Sequence, residues 1–212
     1  MRTRTRNLIF AAIFIAGAST PALAANTGNN TNSNVYMKEF GDTLPPIGHV
    51  KFCTERPAAC EGHGAAETRP AVTKARWAEL DRINRAVNDQ VRPTTDKALY
   101  GVEERWAYPS GAGDCEDYVL LKQKMLIAKG WPEDALLITV VRDRKGEGHA
   151  VLTVSTDRGD LILDNKTDKI RLWSDAPYRF LKRQSREHPR QWVALDRRTA
   201  SIRTRLFGGL GH

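Results

Sequence analysis

No stretch of this sequence is long and apolar enough to stand as a permanent bilayer span; the most apolar run, Leu8 to Ala16, falls short of one. No basic patch interleaved with aromatics is present, so a nucleic-acid partner is not expected despite a formal charge of +8. Cysteine is scarce, at three residues, and none of them forms the tight Cys-x2–4-Cys pair usual in zinc sites.

What is present describes an exported chain of 212 residues, enough for one domain with a sizeable core plus tails. Arginines at 2, 4 and 6, the short apolar run and Ala22-Leu23-Ala24 read as a secretory signal peptide over residues 1–24, implying a periplasmic location. Its removal lowers the formal charge from +8 to +5, an ordinary solvated surface. Residues 25–44 open with an Asn/Thr-rich run and are expected as a flexible polar spacer. The domain is expected over 45–196, followed by a basic, Gly-rich tail over 197–212.

Export changes how the cysteines are read, because disulfides persist outside the cytosol. Cys53 and Cys60 are close in sequence with Pro57 between them, and their pairing is the first reading. The competing one is a metal site, since His49, Cys53, Cys60 and His63 form an H-x3-C-x6-C-x2-H array. With a disulfide, Cys115 is left as the odd thiol, a candidate nucleophile in an oxidising compartment. Its setting agrees. Gly111-Ala112-Gly113 gives a permissive turn, Asp114 is a good N-cap, and Glu116 and Asp117 fall where a helix start favours carboxylates. Cys115 then faces free backbone N–H groups that favour a thiolate.

Apolar residues Trp77, Leu80, Ile83, Val87 and Val91 recur at helical steps, with Thr73 as N-cap and Pro93 as stop. Residues 94–113 are expected as a loop whose Tyr100, Trp106 and Tyr108 either line a substrate groove or cover the core. The Cys115 helix should run to about Lys129 and stop at Gly130. Beyond it the period changes to two: strands are predicted over 135–142, 149–155 and 160–165, with weaker ones over 178–182 and 191–195. A helical half followed by an antiparallel sheet is α+β. His149 opens one strand and Asp164 closes the next, so the two can meet at the sheet end where the Cys115 helix could dock. Cys115, His149 and Asp164 would then form a nucleophile–base–orienting triad.

These blocks, Gly111-Ala112-Gly113-Asp114-Cys115-Glu116-Asp117-Tyr118, Gly148-His149-Ala150-Val151-Leu152 and Leu163-Asp164-Asn165, closely resemble the bacterial transglutaminase-like cysteine proteinases. Those are LapG-like periplasmic enzymes of the papain-like/transglutaminase superfamily. The resemblance spans about residues 45–195 and includes the Cys53–Cys60 loop. It implies a papain-like fold, with the Cys at a helix N-terminus packed on an antiparallel sheet, and hydrolysis through an acyl-thioester. It also implies a protein substrate such as a surface adhesin and, as partner, an inner-membrane cyclic-di-GMP receptor; a monomer is expected. Three carboxylates beside one cysteine should oppose a thiolate, and a calcium ion held by Asp114, Glu116 and Asp117 would relieve that. The family points to the same ion, and no organic cofactor is expected. Two other functions fit the same residues: an amidase or transglutaminase acting on glutamine side chains or cell-wall peptides, and a non-catalytic module of the same fold.

Overall fold

The computed structural model describes residues 35–62 and 69–200. The expected signal peptide, the first part of the spacer, His63 and the end of the basic tail lie outside the described residues. In chain order the elements are strand β1 (Asp42–Thr43), helix α1 (Ile47–Glu55), helix α2 (Lys74–Gln90), strand β2 (Arg92–Pro93), helix α3 (Asp96–Tyr100), strand β3 (Ala112–Gly113) and helix α4 (Cys115–Ile127). Strands β4 (Leu136–Arg142), β5 (Gly148–Thr156), β6 (Gly159–Leu163), β7 (Arg171–Leu172), β8 (Arg179–Gln184) and β9 (Trp192–Ala194) complete the chain. Among the described residues no helix is long and apolar enough to cross a membrane.

Seven strands make one antiparallel sheet in the order β1-β9-β8-β4-β5-β6-β7, so the predicted α+β class is what the chain adopts. Interior strand β5 is buried along nearly its whole length because both faces of the sheet are covered. Leu152 and Val154 join Leu80, Ile83, Val87, Leu120 and Leu126 in the larger core, beneath α2 and α4. Val151 and Ile162 face the other way, against Met37, Phe180 and the segment carrying Trp173 and Tyr178. Truncating a fully buried leucine such as Leu120 or Leu152 to alanine is expected to cost about 2–5 kcal/mol.

Helix α2 begins as the sequence predicts, with the Thr73 side chain accepting from the Arg76 N–H at 3.2 Å. Trp77 leaves the expected apolar face and is 42% exposed. Helix α4 is closed by Gly130, whose φ of +81° suits glycine, and by the Trp131 N–H bonding back to the Leu126 carbonyl. Residues 35–44 are not a free spacer. Met37 is buried, its N–H donates to Asp160 Oδ2 at 2.9 Å, and Asp42 and Thr43 pair with β9. The Asn/Thr run that set the spacer reading ends before the apolar residues that dock.

Cys53 and Cys60 are joined, with S–S 2.12 Å, which replaces the metal-array reading of His49, Cys53 and Cys60. His49 is packed edge-on between Trp106 and Trp192 and is held neutral, its pKa lowered to about 4 by burial and by Arg190. Trp106 and Tyr108 of the expected loop cover the core rather than stand free, while Tyr100 is 38% exposed on α3, a helix the sequence pattern did not signal.

Candidate active site

Gly111 and Gly113 serve the turn before Cys115 for different reasons. Gly111 has φ +81°, which strains any other residue. Gly113 is extended, but a Cβ there would lie 2.5 Å from Asp117 Oδ2 and 2.7 Å from Asp117 Cβ. That closeness is needed because Asp117, third residue of α4, reaches back over the turn. It accepts from the Asp114 backbone N–H, the reciprocal half of a capping box, and from the Ala107 N–H at 2.8 Å. Asp114 holds the N-cap position, yet its side chain makes no cap hydrogen bond. It turns toward Glu116 and accepts from the Asp96 backbone N–H instead.

Asp96 enters through a feature the sequence did not reveal. Strands β2 and β3 pair in parallel, Arg92 with Ala112 and Pro93 with Gly113, laying the start of α3 beside the start of α4. Carboxylate oxygens of Asp96, Asp114 and Glu116 thereby lie within 4.8 Å of one another. Asp117, expected in this set, instead fastens the turn, with its Oδ2 buried and unpartnered nearby. One oxygen each of Asp96 and Asp114 is also buried without a partner. Burial and mutual repulsion push Asp114 up to about 8; burial, then the neighbouring carboxylates, push Asp117 up to about 7. Glu116 and Asp96 are raised as well, first by burial. Crowded, oxygen-only and unsatisfied, this donor set fits a hard cation such as calcium and does not suit zinc.

Cys115 is the free cysteine and is half-buried at the first position of α4. Its sulfur donates to Glu116 Oε2 at 3.0 Å. Burial, then the Glu116 charge and hydrogen bond, push the thiol well above its ordinary range; a hydrogen bond from the Ala150 backbone N–H opposes them. The helix start alone would favour a thiolate. Here desolvation and Glu116 outweigh it.

That Ala150 contact brings the sulfur against the strand residue next to His149. His149 is buried, and its Nε2 lies 2.9 Å from Asp164 Oδ1. The β5–β6 ladder pairs Leu152 with Leu163, so Asp164 continues it opposite Val151, two residues from His149 on the same face. The pair is diagonal, not directly opposed. Asp164 is otherwise fully engaged. Its Oδ1 accepts from the Lys166 N–H at 3.0 Å and its Oδ2 from the Tyr178 hydroxyl at 2.5 Å. Burial pushes Asp164 upward, but the bonds from His149, Tyr178 and Lys166 outweigh it and hold the carboxyl below its ordinary range. The Tyr178 ring also packs against His149, centroids 5.4 Å apart. Asn88 of α2 donates to the Asp164 carbonyl at 3.0 Å and to Asp168 Oδ1 at 2.8 Å, pinning the loop from behind.

Sequence reasoning missed Tyr178, Asn88 and Asp96. The first two come from elements remote in the chain and carry no local signal. Asp96 follows Thr95, a helix N-cap whose side chain accepts from the Ala98 N–H, so a Thr-Asp helix start was there to read.

Residues 39–200 match the family described as bacterial transglutaminase-like cysteine proteinase BTLCP. The chain belongs to that family. Its members are cysteine peptidases, so this transglutaminase-like cysteine proteinase acts on a protein substrate. Among solved structures it is similar to Legionella pneumophila LapG in a calcium-bound form, at 25% identity over 61% of this chain and 80% of that one, TM-score 0.49. It is similar to EGTA-treated LapG at 28% identity, over 56% of this chain and 67% of that one, TM-score 0.48. None of the curated proteins matches the chain.

Proposed function

We propose that this proteinase is an exported, periplasmic peptidase in which Cys115 attacks the scissile carbonyl, His149 moves the proton and Asp164 fixes the imidazole. The observation that carries the reading is the buried 2.9 Å contact between His149 Nε2 and Asp164 Oδ1. An ionised Asp164 accepts only, so the proton sits on Nε2 and the neutral ring keeps Nδ1 as its free base. Nδ1 takes the thiol proton as the sulfur bonds to the carbonyl carbon, then returns it to the leaving amine as the acyl-thioester forms. Water deprotonated by the same nitrogen releases the acid. The Cys115 backbone N–H, at the helix start, serves as one donor to the oxyanion. Because the resting sulfur is a thiol bonded to Glu116, proton transfer accompanies attack rather than preceding it.

Calcium belongs to the same proposal. Asp96, Asp114 and Glu116 would hold it, with Asp117 adjoining. A bound divalent charge would cancel the carboxylate repulsion that disfavours the thiolate. The family resemblance further suggests a surface adhesin as substrate and regulation by an inner-membrane cyclic-di-GMP receptor.

The test uses the exported chain and its Cys115→Ala variant, each incubated with surface and periplasmic proteins and read by mass spectrometry for new termini. Wild type should generate termini that the variant does not, and a thiol-directed electrophile should label only Cys115. Labelling at Cys53 or Cys60, or identical termini from both proteins, would overturn the assignment. Products joined through glutamine side chains would replace hydrolysis with transamidation.

A further inference from the structure

A groove lies on the other face of the sheet and touches the proposed triad at Asp164, while Cys115 and His149 do not line it. Asp164 and Tyr178 form its inner end; the turn between β4 and β5, the stretch 166–171 and the stretch 174–178 form its walls. Its acids are largely committed. Asp143 is bound by the Lys166 ammonium at 3.2 Å and by the Lys145 and Glu147 backbone N–H groups, and Asp164 is saturated as described above. Of the other lining carboxylates only Asp175 remains. Against it stand Arg144, Lys145, Lys169 and Arg171, none of which makes an ion pair among the described residues.

Exposed lysines alone are usually a solvated surface. Arg171 differs. It lies on edge strand β7, where the two parts of the groove meet, and its Nε is buried with no hydrogen-bond partner. It is close enough to Tyr178 to act electrostatically on that hydroxyl, which itself bonds Asp164. A guanidinium that lines a cationic cleft and makes no ion pair among the described residues matches a carboxylate, which a guanidinium can take through two parallel hydrogen bonds.

We infer that this groove binds an acidic stretch of the polypeptide substrate, with Arg171 as the central carboxylate-recognising residue. The inference rests on the peptidase reading and names the substrate class for it. Lysines and arginines around the cleft would steer the acidic segment in and hold it beside Tyr178, while the scissile bond of the same chain lies at Cys115.

The experiment digests a proteome-derived peptide library with the exported chain, with Cys115→Ala as blank, and sequences the new termini. Asp and Glu should be enriched within a few residues on one side of the cleaved bond. Added salt should lower kcat/KM for an acidic peptide by about fivefold or more while sparing its Asn/Gln counterpart. Arg171→Gln, checked for an unchanged thermal melt, should cut the same bonds without the enrichment, raising KM rather than lowering kcat; Arg171→Lys should restore part of it. If Arg171→Gln melts early, Lys169→Gln provides the same reading from the rim. Cleavage without acidic enrichment, enrichment for phosphoserine alone, or enrichment unchanged in both variants would overturn the inference. No cleavage by wild type beyond the blank would instead overturn the peptidase reading beneath it.

Discussion

Glu116 and Cys115 are neighbours at a helix start, and their contact works against the thiolate that such a start ordinarily favours. Glu116→Gln removes the charge while keeping the shape. In excess chelator, alkylation of Cys115 by iodoacetamide should rise at lower pH in the variant than in wild type; an unshifted profile would leave burial and Asp114 as the causes. Lys122, seven residues further along α4, is fully buried with an unpartnered Nζ beside Asp164 and Asp168, and burial lowers its pKa to about 7. A base depressed in the folded state costs stability in full below about 7, and the cost fades as pH climbs from there toward its ordinary 10.5. Lys122→Met should therefore raise the melting temperature by several degrees at about pH 6 and by little near pH 10. Equal gains at both would contradict a charge penalty. Nothing in the sequence marks Lys122, because a lysine on a helix reads as solvated unless the loop that covers it is known. Cys115, His149 and Asp164, by contrast, each sit at the end of a periodic element. Their placement was legible wherever periodicity was.

At the scale of elements, the parallel β2–β3 ladder makes the acid cluster possible, and a two-residue ladder has no periodicity to announce it. The long strands β4, β5 and β6 were legible within a residue or two because alternation and turn chemistry agree there. Helix α3, at five residues, is too short to show a period. The cluster has a pH signature with a definite sign. Asp114 and Asp117 are raised in the folded state, so their contribution is complete below about 4 and is lost as pH rises through about 7 to 8. In chelator the melting temperature should fall across that window, and calcium should offset the fall increasingly as protons cease to compete. Asp114→Asn should flatten both curves. A melt indifferent to pH and to calcium would remove the metal from the proposal and leave the triad standing.

At the scale of the molecule, the disulfide and the outer strands determine how the parts are tied. Intact-mass analysis after alkylation without reductant should find one modifiable thiol, since Cys53 and Cys60 are joined. Reduction should lower stability by about 2–4 kcal/mol. The sheet itself is finished by β1 pairing with β9, partners roughly 150 residues apart. Val35 lies just before them, its carbonyl accepting from the Asp160 N–H so closely that a Cβ on Gly159 would meet it at 2.6 Å. A chain delivered across a membrane from its N-terminus presents β1 first and β9 almost last. Exported as proposed, the opening segment would wait, unpaired, until nearly the whole domain had arrived. The proposed hydrolytic centre, carried on the intervening strands and α4, would gain its finished sheet only then. For a chain exported as proposed, delivery and maturation would in this sense be one event, timed by the length of chain between two short strands.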